Sequence, residues 1–290
     1  MHLVQHIGAH VTDGERLIRS LMKNQKPLAD HGVRVPVPTS YRRLLREAIQ
    51  RHLNDGTGAE ERDPFLDAFL PDRPERLVLS NPAFICTPNR IFEGREFYGL
   101  AGMKVRALCD IFAGDEVEIF LATRNPATFI PAVWEQSRAR SVEAYLDGLD
   151  PRQALWSDVV RRIRDLVPSA RLVVWANEDT PLIWGRLMRA MAGVPFSEPL
   201  DGVHDLVDEI MTEEGRARFR AYLRTHPPQS ESQMSRVAAA FLDKYAVPEE
   251  VMEEVDMEGW DASVVSDLTR GYEADLDLIA GMDGVTVLQP

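Results

Sequence analysis

The sequence predicts an α/β fold, a parallel sheet with helices on both faces plus a helical C-terminal region, and three observations carry that prediction. Short runs of β-branched and apolar residues recur through the first two thirds of the chain, and segments of helical period separate them. After Pro195 the pattern turns to amphipathic helix. Strands that alternate with helices argue for parallel pairing, because each helix returns the chain to the same end of the sheet and covers a face on the way.

Taken in order, the first strand is expected over residues 2–8, "HLVQHIG", and it runs into a turn and a helix that carries Leu17, Ile18, Leu21 and Met22 on one side. Further strands are expected at 76–80 ("RLVLS"), 116–123 ("EVEIFLAT") and 170–176 ("ARLVVWA"), each a short apolar run of the kind a sheet buries on both faces. Between the last two, Val159, Val160, Ile163, Leu166 and Val167 repeat with helical spacing. "HDLVDEIMTEEGRARFRAYL", "SQMSRVAAAFLDKY" and "ASVVSDLTRGYEADLDLIAGM" read as three amphipathic helices packed on the sheet. "GVTVLQ" at 284–289 ends the chain as a fifth strand. The organisation expected is one domain over 1–290: a sheet core at 1–196, a mainly helical acidic region at 197–283 and the final strand.

At 290 residues and 44% hydrophobic composition, the chain can bury a large core. No run approaches the roughly 18 consecutive apolar residues of a membrane span, and "MHLVQHIGAH" lacks the basic start and apolar stretch of a signal peptide. A cytoplasmic protein with no membrane association is expected. Cys86 and Cys109 lie in apolar segments without zinc-type spacing, so both read as buried free thiols and no metal is expected. The formal charge of -13 is uneven, for residues 197–290 hold 21 acidic against 7 basic side chains. Such a surface disfavours nucleic acid and anionic membranes, and reads first as a solvated helical face, with room for a protein partner or a homodimer.

In an open parallel sheet, ligands bind beyond the carboxyl ends of the strands. The segments found there are polar: the opening turn, then Ser80-Asn81-Pro82, Thr123-Arg124-Asn125-Pro126 and Asn177-Glu178-Asp179-Thr180-Pro181. Asn81, Asn125 and Thr180 each precede a proline, the arrangement of a helix start, so capping is their first expected role. For Arg124 two readings stand side by side. It suits the bidentate grip of a phosphate or carboxylate, and equally an ion pair with Glu178 or Asp179.

"HIGAHVTDGERLIRSL" resembles the degenerate P-loop of bacterial sulfotransferases, which begins His-Ile-Gly and continues, two residues later, with Lys-Thr-Gly-Thr-Thr and a helix. "RNPATFIPAVW" is similar to their Arg-Asp/Asn-Pro segment, which binds the 3′-phosphate of the donor 3′-phosphoadenosine 5′-phosphosulfate (PAPS). The order of elements over residues 1–196 fits as well, including "VVWANEDTPLIWGRLMRAMAGV". The resemblance implies a P-loop sulfotransferase-like fold and sulfuryl transfer from PAPS to a hydroxyl or amine of a small-molecule or glycan acceptor. It places Gly8, Thr12, Gly14 and Arg124 at the cofactor. On this reading His10 or Glu178 assists the acceptor as base.

The departures are specific. Val11 stands at the family's lysine, Asp13, Gly14 and Glu15 at its glycine and two hydroxyl residues, and Ala132 where a serine completes the 3′-phosphate site. "SNP" after the second strand offers no acidic residue. A carboxylate such as Asp13 about 4 Å from a phosphate would cost on the order of 4 kcal/mol at an effective dielectric near 20. Thr12 or Asp13 is instead expected to cap the helix, with Glu15 in its first turn. Three readings follow: a divergent sulfotransferase; a non-catalytic binding or scaffolding protein that keeps the fold without the donor site; and an enzyme of changed chemistry, in which Asp13, Glu15, His10 and Glu178 gather a cation or a cationic substrate.

Overall fold

The computed structural model describes residues 1–251, 253, 255, 257 and 259–290. Its centre is a six-stranded, all-parallel sheet: β1 (His2–His6), β2 (Val33–Arg34), β3 (Arg76–Ser80), β4 (Glu116–Thr123), β5 (Arg171–Ala176) and β6 (Val285–Val287), in the spatial order β2-β3-β1-β4-β5-β6. The registers place Val4 opposite Val78 and Glu118, and Phe120 opposite Val173.

Alternation along the strands explains why both faces are covered, since successive side chains point to opposite sides. Leu3, Leu77, Leu79, Ile119, Leu121, Leu172 and Val174 enter one buried core, and Val4, Val78, Phe120, Ala122, Val173 and Trp175 enter another. The second face is covered by α1 (Arg16–Met22), α2 (Gln25–Asp30) and a long helix after β5 described below. The first face receives α3 (Pro38–Asp55), α4 (Arg62–Asp67), α5 (Ala101–Ile111), α6 (Pro126–Glu135), α7 (Val142–Tyr145) and α8 (Trp156–Leu166). An aromatic group of Phe97, Tyr98, Phe129 and Trp156, with ring centroids 4.8–6.2 Å apart, packs under the end of β4. Its Trp156 Nε1 donates to the Arg124 carbonyl at 2.8 Å, which fixes the backbone where the strand ends.

The helix after β5, α9 (Thr180–Ala192), leads into α10 (Asp205–Glu209), α11 (Glu213–Thr225), α12 (Glu231–Tyr245) and α13 (Pro248–Val251). These form a small core of their own around Val207, Met211, Phe219 and Ala238. The segment expected as one helix from His204 is two. Thr212 Oγ1 accepts from the Gly215 amide and starts a new helix there, while Met211 bridges to Ala246. The last helix, α14 (Ala262–Ala280), returns to the first face through Tyr272 and Ile279, and β6 then pairs with β5. No described helix is long and apolar enough to cross a membrane.

The chain leaves β1 toward β2 on one side and β4 toward β5 on the other, yet β1 and β4 are neighbours. The crevice beyond their carboxyl ends is therefore the topological switch point, where ligands of such sheets bind.

Candidate functional site

At this switch point the chain continues past β1 beside β4, with the Ile7 amide on the Phe120 carbonyl and the Ala9 amide on the Ala122 carbonyl. His6 lies beneath, fully buried. Its Nε2 donates to the Gly8 carbonyl at 3.1 Å, its Nδ1 shares a 2.9 Å hydrogen bond with the Ser80 hydroxyl, and burial lowers its pKa. Gly8 has φ +114°, and a Cβ there would sit 2.6 Å from the Pro82 carbonyl, so only glycine fits.

The turn closes on itself. Thr12 Oγ1 donates to the Ala9 carbonyl at 2.8 Å. Asp13, 7% exposed, accepts from the Glu15 amide through Oδ1 at 3.3 Å and from the Leu17 amide through Oδ2 at 3.2 Å. Of the two expected capping residues it is therefore Asp13 whose carboxylate takes the amides at the start of α1, the donors a bound phosphate would need. Gly14 and Glu15 follow at positive φ, and a Cβ on Gly14 would meet nothing within 4 Å. Glu15 turns away from the crevice, where Arg42 Nη1 on α3 holds it at 2.5 Å.

His10 lies inside the protein, 4% exposed. The Tyr98 hydroxyl accepts from the His10 amide at 3.2 Å and shares a 2.7 Å hydrogen bond with Nδ1, while no hydrogen bond of standard geometry from a described residue reaches Nε2. Burial lowers its pKa to about 4, against a weaker opposing pull from the Cys86 carbonyl. Cys86 is buried and Cys109 half-buried, both free thiols that burial pushes up to about 12.

At the end of β4, each nitrogen of the Arg124 guanidinium makes a contact. Its Nη1 donates to the Val11 carbonyl at 2.6 Å, Nε to Thr128 Oγ1 at 3.2 Å and Nη2 to Glu253 at 2.7 Å. The ion pair thus forms with a residue of the C-terminal third rather than with Glu178 or Asp179. Val11 itself is held at φ +50°, an uncommon conformation for a β-branched residue, and the Arg124 contact pins its carbonyl. Asn125 caps α6 as expected, its Oδ1 accepting from the Ala127 amide at 3.0 Å. Thr180 does not cap; its hydroxyl accepts from Trp175 Nε1 at 3.2 Å. Asn81 Oδ1 accepts from the Ala83 amide at 3.1 Å in a turn that leads into no helix.

Glu178 stands on the crevice wall with both oxygens occupied, Oε1 by the Asn125 amide at 2.7 Å and Oε2 by the Tyr272 hydroxyl at 3.1 Å. The protein packed around its carboxyl group strips away enough water to raise its pKa. Tyr272 on α14 also reaches Thr123 Oγ1 at 2.8 Å, tying the last helix to the end of β4. Nothing in sequence spacing pointed to Tyr272, Tyr98 or Glu253, each more than 80 residues from its partner.

Thr12, Asp13, Asn125 and Glu178 meet at a cleft of about 640 Å³, roofed by α10, α12 and α13. Among the described residues, five carboxylates line it, from Asp13, Glu178, Asp243, Glu250 and Glu253, against one guanidinium, Arg16, which pairs with Glu209 at 3.1 Å. Of the expected site residues, the structure brings Thr12 and Glu178 onto this cleft, sets Arg124 beside it through Glu253, and keeps His10 out of it. Among the described residues no group of three or more His, Cys, Asp or Glu gathers as a metal site. Another cavity, of about 560 Å³, opens by Cys109, Asp115 and Arg171 at the amino ends of the strands, the end of a parallel sheet where ligands are not expected. No family model and no curated protein matches the chain.

Proposed function

We propose that this chain is a non-catalytic binding protein with a sulfotransferase-like fold, cytoplasmic, in which the PAPS site has been closed by the protein's own carboxylates. The single observation that supports this most is the Asp13 side chain on the Glu15 and Leu17 amides. A phosphate would have to displace a carboxylate that is local in sequence and already buried, and repulsion at about 4 Å adds on the order of 4 kcal/mol. Arg124, the other phosphate ligand the resemblance implies, already has each of its three nitrogens engaged, by Val11, Thr128 and Glu253. His10, with a pKa near 4 and no access to the cleft, is poorly placed to act as a base on an acceptor.

Calorimetric titration with 3′-phosphoadenosine 5′-phosphate tests the proposal. No binding at millimolar ligand is expected. Micromolar binding that an Arg124→Ala variant loses would overturn it and restore the transferase reading.

A further inference from the structure

We propose that the switch-point cleft binds an amphiphilic amine, an ammonium group on an aliphatic body; this rests on the reading that the anion site is closed. The cleft volume, about 640 Å³, lies within the range of small-molecule sites. Its lining is mixed in chemistry: Leu182, Leu206, Ile210 and Leu242 are aliphatic, and Asp13, Glu178, Asp243, Glu250 and Glu253 bring carboxylates.

Those carboxylates divide into occupied and open ones. Asp13 is taken by backbone amides, Glu178 by the Asn125 amide and Tyr272, and Glu253 by Arg124. Asp243 on α12 and Glu250 on α13 line the same cleft, and their side-chain oxygens take no hydrogen bond or ion pair from a described residue. An anion entering here meets repulsion from both. A bare metal ion finds no gathered ligand set among the described residues. An ammonium group brings three donors and a charge of the right sign to the open carboxylates, and its body can cover the aliphatic part of the lining.

The test is calorimetric titration of the full chain with octylamine near neutral pH and low salt, beside octanol and octanoate of equal length. Saturable octylamine binding at least about tenfold tighter than octanol is expected, with none for octanoate. Asp243→Asn should weaken octylamine about fivefold or more without moving the thermal transition, because the residue is exposed. Octylamine no tighter than octanol, no saturable uptake at millimolar concentration, or an Asp243→Asn variant that binds unchanged would each overturn the proposal. Titration with 3′-phosphoadenosine 5′-phosphate on the same preparation separates the two failures. If neither ligand binds, only the amine assignment falls; if the nucleotide binds, the closed anion site falls with it.

Discussion

The ends of β1 and β4 face each other across the switch point, and both are filled by carboxylates of the chain itself, but in different ways. Beyond β1, Asp13 bonds to amides two and four residues along, and it is buried. Beyond β4, Arg124 draws Glu253 from 129 residues away, and that glutamate is 53% exposed. A local, buried cap adds little ordering cost to a turn that must form anyway, whereas a distant, solvated ion pair orders a long side chain for a screened attraction. The first contact should therefore behave as part of the fold and the second as a replaceable cover.

The largest expected effect lies in the β1 turn. Gly8→Ala drives a Cβ to 2.6 Å from the Pro82 carbonyl at φ +114°, and should destabilise the protein by about 3 kcal/mol or more, read by urea unfolding. Gly14→Ala, at φ +54° with nothing within 4 Å, should cost only about 1–2 kcal/mol. Equal costs at the two glycines would mean that the turn moves as a whole and is not anchored at Gly8.

His10 supplies the next effect, through pH. Its folded pKa of about 4 lies below the unfolded 6.5, so between these values the unfolded chain binds more protons and stability falls as the pH drops. Full expression of that shift amounts to about 3 kcal/mol across the window, at about 1.4 kcal/mol per pH unit. A His10→Gln variant should show a correspondingly shallower loss between pH 6.5 and about 4, and a parallel curve would show that His10 is solvated.

Much of this architecture could be read from the chain, and the exceptions have physical causes. β3 and β4 match their expected ranges because each is rich in apolar and β-branched residues and is bounded by polar ones. β2 escaped notice since two residues, Val33 and Arg34, carry no period. Asp13 was legible as a cap, because capping is a local interaction between a side chain and amides within one turn. The partners of Arg124, His10 and Glu178 were not, for each lies on a remote element that only tertiary packing brings near. Thr180 failed as a cap for a local reason: Trp175, five residues earlier on β5 and buried in the second core, claims its hydroxyl.

Asp13→Ala comes third. It strands the Glu15 and Leu17 amides and should cost about 1–2 kcal/mol, lowering the melting temperature by a few degrees, with Asp13→Asn losing less because its carbonyl oxygen still accepts. A neutral Asp13→Ala would mean that water or another group replaces the cap, and the asymmetry between the two strand ends would vanish.

The smallest effect belongs to Glu253. Glu253→Gln keeps the length of the side chain and removes its charge, so only the exposed ion pair with Arg124 is lost, and stability should change by no more than about 0.5 kcal/mol. Arg124 itself stays in place, since Val11 and Thr128 still hold two of its donor groups. The variant therefore leaves Arg124 with an uncharged partner without reopening the β1 turn, and 3′-phosphoadenosine 5′-phosphate should still fail to bind while Asp13 remains. Combining Glu253→Gln with Asp13→Ala removes both internal carboxylates, and nucleotide binding that emerges only in this pair would show that each strand end had been closed separately. A loss of more than about 1.5 kcal/mol from Glu253→Gln alone would instead make the α13–α14 connection a structural clamp on the β4 end.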